Sequence, residues 1–135
     1  TNLKFVDRGD KVNFERSVTF GTELGGHIVS GHIHETAVVT NIVTTETNCR
    51  ISLSLDSKWM KYVLHKGFVS VNGCSLTVGN VVENGFDLHL IPETLSITNL
   101  SDAVIGTALN IEVDQQTYTT VQTVERYLKA QKINV

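Results

Sequence analysis

Apolar and polar residues alternate along much of the chain, which is typical of half-buried strands. In the stretch NCRISLSLD, Ile51, Leu53 and Leu55 fall on one face, and Ser52 and Ser54 fall on the other. Similar patterns rich in β-branched residues recur in TAVVTNIVTT, FVSV, CSLTV, VGNVV, FDLHLI and TALNIEV. The pattern therefore predicts six or more short strands, as in a small antiparallel barrel or sandwich.

Turn signals between these strands predict three hairpins. The segment TETN places a first turn through Glu46, and Asn72-Gly73 is a type I′ turn signal between FVSV and CSLTV. A third turn is expected at Asn84-Gly85.

Helix signals are few. The segment DSKWMKYVL starts at a capping residue, Asp56 or Ser57, and is long enough for two turns. Pro92 suits the first turn of a short helix in PETLS.

One long helix is predicted near the C-terminus, from about Thr117 to Lys132. Val121, Val124 and Leu128 form a narrow apolar stripe on it. A narrow stripe suits a seam between helices, so we expect this helix to mediate oligomerisation. Packing on the chain's own barrel is the alternative.

The chain contains an internal repeat. The segment TNLKFVDRGDKVNFE (residues 1–15) aligns without a gap with TNLSDAVIGTALNIE (residues 98–112), with six identities. We therefore expect residues 1–16 to be the tail of a preceding, mostly absent repeat, residues 17–114 to be one complete barrel, and residues 115–135 to be the C-terminal helix. The sequence leaves three alternatives open for residues 1–16: an expression remnant, a swapped strand or an unpaired arm.

Charge and composition argue against nucleic-acid binding and against a membrane span. With 11 basic and 14 acidic residues the net charge is −3, and no basic stripe predicts nucleic-acid binding. No apolar run reaches the ~20 residues that span a bilayer, and no signal peptide is recognisable. Two widely spaced cysteines, Cys49 and Cys74, are expected to be reduced thiols in a cytoplasmic protein.

Three histidines fall close together in LGGHIVSGHIHETAVV: His27, His32 and His34. His32 and His34 share a strand face by alternation, whereas His27 has the opposite parity. Because no Cys, Asp or Glu completes a ligand set nearby, we predict no metal site. The glycines of GGH and SGH are expected to matter as much as the imidazoles, since glycine lets the backbone approach a flat ligand closely.

Several motifs, taken together and in this order, resemble riboflavin synthase: GGHIVSGHI, MKYVLHKGFVSVNGCSLTV, LIPETL, TNL and NIEVDQQTYTTVQTVERYL. The resemblance covers essentially the whole chain. It implies an all-β fold, a six-stranded antiparallel Greek-key barrel with short helices and a C-terminal α-helix. It also implies a chain of two barrels and a homotrimer.

The reaction implied by the resemblance uses no cofactor. Two molecules of 6,7-dimethyl-8-ribityllumazine exchange a four-carbon unit, giving riboflavin and 5-amino-6-ribitylamino-uracil. The active site of the family lies where the N-terminal barrel of one chain faces the C-terminal barrel of a neighbour.

The resemblance also assigns site residues. His32 is the candidate for proton transfer, Ser75 and Thr77 for positioning, and Asp114 for polar support, although the base is not established. The substrate-binding positions are Gly31, His32, Ile33, Lys66, Ser75, Leu76, Thr77, Ile91, Pro92, Glu93, Thr94, Leu95 and Ser96.

Two other functional classes compete with the enzyme. Lumazine proteins share the fold and bind the same ligand as optical antennae without catalysis. The intact SGH, CSLTV and LIPETL motifs favour the enzyme lineage over them. A flavin-reductase-like barrel would carry an RxYS-type motif and a following dinucleotide domain, and neither occurs in this sequence.

Overall fold

The fold is a closed barrel of six antiparallel strands in the order β1-β2-β5-β4-β3-β6, which confirms the predicted class. A computed structural model describes residues 1–131. The strands are β1 (Glu35–Thr44), β2 (Cys49–Ser54), β3 (Phe68–Val71), β4 (Cys74–Val82), β5 (Gly85–Leu90) and β6 (Ala108–Val113). The helices are α1 (Ser57–Met60), α2 (Pro92–Ile97) and α3 (Gln115–Ala130), and 3₁₀ turns cover Asn2–Phe5 and Asn99–Asp102.

Alternation along each strand fills the barrel. Inward-facing apolar side chains from all six strands form one core, joined by residues from the connecting segments. Fully buried members include Val39, Ile51, Leu53, Val69, Val71, Val78, Phe86, Leu88, Leu90, Leu109 and Ile111. The strands connect as a Greek key, because β2 pairs with β5 and β6 closes the barrel between β1 and β3.

The predicted turns are nearly right. Asn72 and Gly73 both have positive φ, 47° and 82°, as a type I′ turn requires. The third turn instead lies at residues 83–84, and Gly85 already begins β5. A side chain at Gly85 would overlap the carbonyl oxygen of Leu53 on β2, so this glycine allows the two strands to approach.

The helix predictions hold with changes in length. Asp56 is the cap of α1, its Oδ1 accepting from the amide of Lys58 at 3.0 Å. The helix is shorter than the predicted two turns, because Tyr62 and Val63 leave it to enter the core. Pro92 begins α2 as expected.

The long helix α3 starts two residues before the predicted Thr117. Lys132, the predicted end of this helix, and residues 133–135 of the predicted C-terminal segment lie outside the described residues. Within residues 1–131, no helix combines the length and the apolar character that crossing a membrane requires.

The two aligned repeat segments begin with the same local structure. Thr1 and Thr98 each precede a four-residue 3₁₀ turn, Asn2–Phe5 and Asn99–Asp102. Further along, the two segments diverge, because residues 108–113 form β6 whereas their counterparts in residues 11–16 form no strand.

Candidate functional site

Ser75 and Thr77 lie on the outer face of β4, as the alternation predicts, while Leu76 and Val78 are buried. Thr77 is opposite Phe68 on β3. The backbone next to Phe68 extends this surface, since the amide of residue 66 donates to the Val78 carbonyl oxygen at 2.9 Å. The hydroxyl pair is therefore held on a rigid hairpin, on the outside of the barrel.

His27 completes this surface, although sequence parity left its direction undecided. Its Nδ1 lies 2.6 Å from Ser75 Oγ, and its amide donates to the same oxygen at 3.1 Å. The imidazole stacks on Phe68 with ring centroids 5.2 Å apart and planes 13° apart. The GGH motif contained the signal for this residue, because glycines beside a histidine allow the chain to cross a sheet closely.

Gly26 permits this contact. It has φ +82°, and a Cβ at this position would overlap Ser75 Oγ. Both the backbone conformation and the space require glycine here.

Two groups of His27 meet the same oxygen of Ser75. Ser75 Oγ accepts from the His27 amide, and its hydroxyl can donate to Nδ1 in the tautomer that carries its proton on Nε2. That nitrogen is buried and makes no hydrogen bond to any of residues 1–131. A serine hydroxyl that donates to an imidazole is a polarised hydroxyl, the arrangement that activates oxygen nucleophiles.

The segment Gly26–Gly31, here called the strap, crosses the outer face of three strands. At its far end the buried side chain of Glu112 on β6 accepts three hydrogen bonds. Oε1 accepts from the amide and hydroxyl of Ser30 at 2.7 and 2.8 Å, and Oε2 accepts from the amide of Gly31 at 2.8 Å. Between the two ends lies the buried Ser70 of β3, which pairs with Glu112 on one side and with Ser75 on the other.

His32 follows the strap and is exposed, and its ring makes no hydrogen bond within residues 1–131. His34 is half-buried. Its ring packs against Trp59 and Tyr118, and its Nδ1 accepts from the Val113 amide at 3.3 Å. Burial lowers the pKa of His34, although the nearby Glu112 carboxylate acts in the opposite direction. The two histidines thus have different surroundings despite their shared parity.

The predicted substrate loop lies beside a separate cavity. Pro92, Leu95 and Ser96 of α2 line a cavity of about 370 Å³, together with Asn48 and other residues of the β1–β2 turn. The Ser96 hydroxyl donates to the carbonyl oxygen of Glu93 at 2.8 Å and is therefore occupied within α2. Ile91 is exposed and Thr94 is half-buried.

His89 links this cavity to the β4 surface, and the sequence reasoning missed it. Asn48 Nδ2 is 3.2 Å from His89 Nδ1, and the His89 ring packs over Gly79, which leaves room for it. Gly79 shares the face of Ser75 and Thr77 by alternation. A continuous outer surface therefore runs from Ser75 to the cavity.

The remaining predicted positions lie in three different places. Gly31 and Ile33 line a second cavity of about 220 Å³ beside Glu112, whose opposite wall is the N-terminal segment. Asp114 caps α3, accepting from the amide and hydroxyl of Thr117 at 2.8 Å each. Lys66 is exposed next to the β4 surface and has a left-handed backbone with φ 60°.

The thiols occupy different environments. Cys49 is buried in the core, and Cys74 is half-buried at the start of β4. Burial raises the pKa of the Cys74 thiol, and the carboxylate of Glu15 adds to this effect. Cys74 is therefore held as a neutral thiol beside Ser75. Among residues 1–131, no group of three or more His, Cys, Asp or Glu side chains could hold a metal ion.

Comparison with known proteins decides the family. A sequence profile described as "Lumazine binding domain" matches residues 30–114, which is more than half of the chain. The chain belongs to the lumazine-binding domain family. The resemblance to riboflavin synthase that the motifs predicted is confirmed by relatives of that name. The riboflavin synthase of Escherichia coli (strain K12) is 50% identical over 133 residues, and that of Buchnera aphidicola subsp. Schizaphis graminum (strain Sg) is 42% identical over 133 residues.

The alignments cover a larger share of this chain than of the relatives. The matches take in 98% and 96% of this chain but 62% of each relative, so the chain spans less than two thirds of their length. A solved structure described as LumP complexed with riboflavin superposes with a TM-score of 0.76 at 27% identity. The superposition covers 85% of this chain and 62% of the LumP chain.

The lowered pKa of His34 predicts that stability depends on pH. As the pH falls below about 6.5, the unfolded chain takes up a proton at His34 before the folded chain does. The free energy of unfolding should therefore decrease as the pH falls through this value. Urea unfolding at pH 7.5 and 5.5 measures the decrease, which His34→Gln should reduce. An equal decrease in the variant would assign it to other groups.

Proposed function

We propose that this chain is the lumazine-binding barrel of a riboflavin synthase. The observation that carries the proposal is the Ser75 hydroxyl, fixed on the outside of β4 and hydrogen-bonded to His27. Relatives named riboflavin synthase support the assignment. The proposed ligands are 6,7-dimethyl-8-ribityllumazine as substrate and riboflavin as product.

The proposed reaction is a dismutation without a cofactor. One lumazine gives up a four-carbon unit and leaves as the ribitylamino-uracil, and the other takes it up and becomes riboflavin. The 7-methyl group of a lumazine is acidic because the ring delocalises the resulting anion, so a placed base of moderate strength is enough. Stacking two substrates in register contributes an orientation effect worth up to roughly 7–11 kcal/mol.

The residues supply three kinds of group for this chemistry. Ser75, hydrogen-bonded to His27, is proposed to position the ring by a hydrogen bond near C7, and Thr77 to hold the adjacent ring edge. His32, exposed beyond the strap, is available for proton transfer to a second substrate. Asp114 is proposed to act at the site through the α3 terminus that it caps, as a polar support.

The proposed lumazine pocket runs along the outer surface from Ser75 to α2. Leu76 lies beneath its floor, and the exposed ammonium of Lys66 is suited to the ribityl chain. Backbone groups of residues 91–96 would meet the ring, with Thr94 and Ile91 at its edge. Gly31 and Ile33 are proposed to contact the face turned toward a second barrel.

A non-catalytic ligand-binding protein of the same fold is the second candidate. The structure of LumP complexed with riboflavin superposes on this chain. A riboflavin ligand is compatible with a binding protein as well as with the enzyme, so this superposition supports both candidates equally. The His27–Ser75 hydrogen bond favours the enzyme, because an antenna protein needs no polarised hydroxyl.

A second barrel is proposed as the partner of residues 1–16, which belong to a preceding repeat. Apolar residues that are buried in residues 98–112 are exposed at the aligned positions. Leu3, Val12 and Phe14 are 55%, 55% and 85% exposed, whereas their counterparts Leu100, Leu109 and Ile111 are at most 2% exposed. These side chains would be buried if residues 1–16 closed another barrel of this fold.

A homotrimer formed through α3 is proposed for the assembly. The first half of the helix packs on its own barrel, through Tyr118 and Val121. Further along, Val124 and Tyr127 are 51% and 63% exposed. We also propose a cytoplasmic location, which the free thiols of Cys49 and Cys74 support.

Removal of the hydroxyl pair should weaken ligand binding. In the variant Ser75→Ala with Thr77→Val, the riboflavin dissociation constant is expected to rise about 5- to 150-fold for each hydrogen bond lost, because a lost hydrogen bond to a buried ligand edge costs about 1–3 kcal/mol. Quenching of riboflavin fluorescence on titration measures it. Thr123→Val on exposed α3 is the matched control. Unchanged affinity in the double variant would remove the pair from the site.

The chain alone should turn over lumazine far more slowly than a complete two-barrel synthase, because the ordered second substrate is missing. Riboflavin formation from ribityllumazine is measured with and without an added N-terminal barrel from the Escherichia coli relative. Addition of that barrel should raise the rate. Full synthase-like turnover by the chain alone would contradict the composite site.

Charge placed on the outer face of α3 should break the oligomer. Val124→Glu with Tyr127→Glu is expected to reduce the mass in solution to that of the monomer, because two carboxylates would be buried in the seam. Light scattering measures the mass, and Thr47→Glu, exposed in the β1–β2 turn, is the control. A trimer that survives in the double variant would place the seam elsewhere.

A further inference from the structure

Glu112 has an environment that the core does not explain. Its carboxylate is on the outer face of β6 yet only 5% exposed, and no ion pair within residues 1–131 involves it. Burial of a carboxylate is costly unless hydrogen bonds compensate for it. Here all the compensation comes from one end of the strap, through the amides of Ser30 and Gly31 and the Ser30 hydroxyl.

The strap has little slack between its two anchors. Glu112, Ser70 and Ser75 stand opposite one another on three neighbouring strands, so the anchors are about two strand spacings, or roughly 10 Å, apart. Three residue steps, from His27 to Ser30, span at most about 10–11 Å when extended. At Gly26 and Gly31, both with φ +82°, the chain turns. A shift at one anchor is therefore transmitted to the other.

We propose that Glu112 is a positioning residue for the lumazine site: it fixes one end of the strap so that His27, at the other end, keeps its contact with Ser75. This inference rests on the proposed function, since it assigns how the polarised hydroxyl of that site is held. Glu112 does not touch the ligand surface on β4 itself. It acts through the strap, and the same clamp sets where the chain leaves toward His32.

The aligned repeat segments support a specific role for Glu112. Glu15 is the residue aligned with Glu112, and it is identical. The alternation of apolar and polar residues predicts that the side chains at both positions face solvent. Any polar side chain would suit such a position, so alternation alone does not explain why both are glutamates. Glu15 is exposed here, where no strap crosses it.

The variant Glu112→Gln tests the inference, because its amide nitrogen would meet a strap N–H, donor against donor. Riboflavin affinity should fall about 10- to 100-fold. Ser30→Ala, which removes one of the three bonds, should act in the same direction but less strongly. Glu83→Gln, exposed in the β4–β5 turn, is the charge control and should bind as the unmodified chain does.

A double-mutant cycle separates positioning from general stability. If Glu112 acts through His27, then Glu112→Gln adds little to the loss caused by His27→Ala. Losses that multiply would overturn the inference, since a merely structural role is independent of His27. Unchanged affinity in Glu112→Gln would overturn it as well.

Amide hydrogen exchange provides a readout without ligand. In Glu112→Gln the amides of Ser30 and Gly31 should lose protection, whereas those of Leu53 and Leu88 in the core should keep it. Retained protection at the strap would refute the clamp. If the unmodified chain binds no riboflavin, the proposed function fails, and the exchange still decides whether Glu112 holds the strap.

Discussion

Strand β6 is the constraint on which the rest of the structure depends. Its pairing with both β1 and β3 closes the barrel, so that no strand edge is left open. Its inner face, Leu109, Ile111 and Val113, completes the core. Its outer face carries Asn110 and Glu112, which are also buried because other segments cover them. One six-residue strand thus closes the barrel, anchors the strap and holds the N-terminal segment.

The barrel could be predicted from the sequence because its determinants are local. Alternation in residues such as Ile51, Leu53 and Leu55 sets the buried face, and Asn72-Gly73 sets a turn without help from distant contacts. The bulge in β1 between Val39 and Asn41 was not foreseen, since it depends on pairing with β2. The end of α1 likewise depends on distant contacts, because Tyr62 and Val63 leave the helix to enter the core.

The same distinction between local and distant determinants applies to the candidate site. Ser75 and Thr77 could be placed from parity alone, because they lie on a regular strand. His27, His89 and Glu112 could not, since each takes its role from residues 41 to 82 positions away along the chain. By parity Glu112 lies on the outer face of β6, where a side chain is ordinarily exposed. Only the repeat, in which Glu15 matches it, marked this position, and alignment shows that a residue recurs without showing what it contacts.

The asparagines of the repeat have a wider consequence. The amide of Asn2 donates to Asn110 Oδ1 at 2.6 Å, and the amide of Asn99 donates to Asn13 Oδ1 at 2.7 Å. Asn2 aligns with Asn99 and Asn13 with Asn110, so exchanging the two segments reproduces the contact. Such reciprocity is the mark of an isologous interface, the kind formed by two identical subunits about a two-fold axis. The two segments of this one chain therefore meet with the local pseudo-two-fold symmetry that such an interface has.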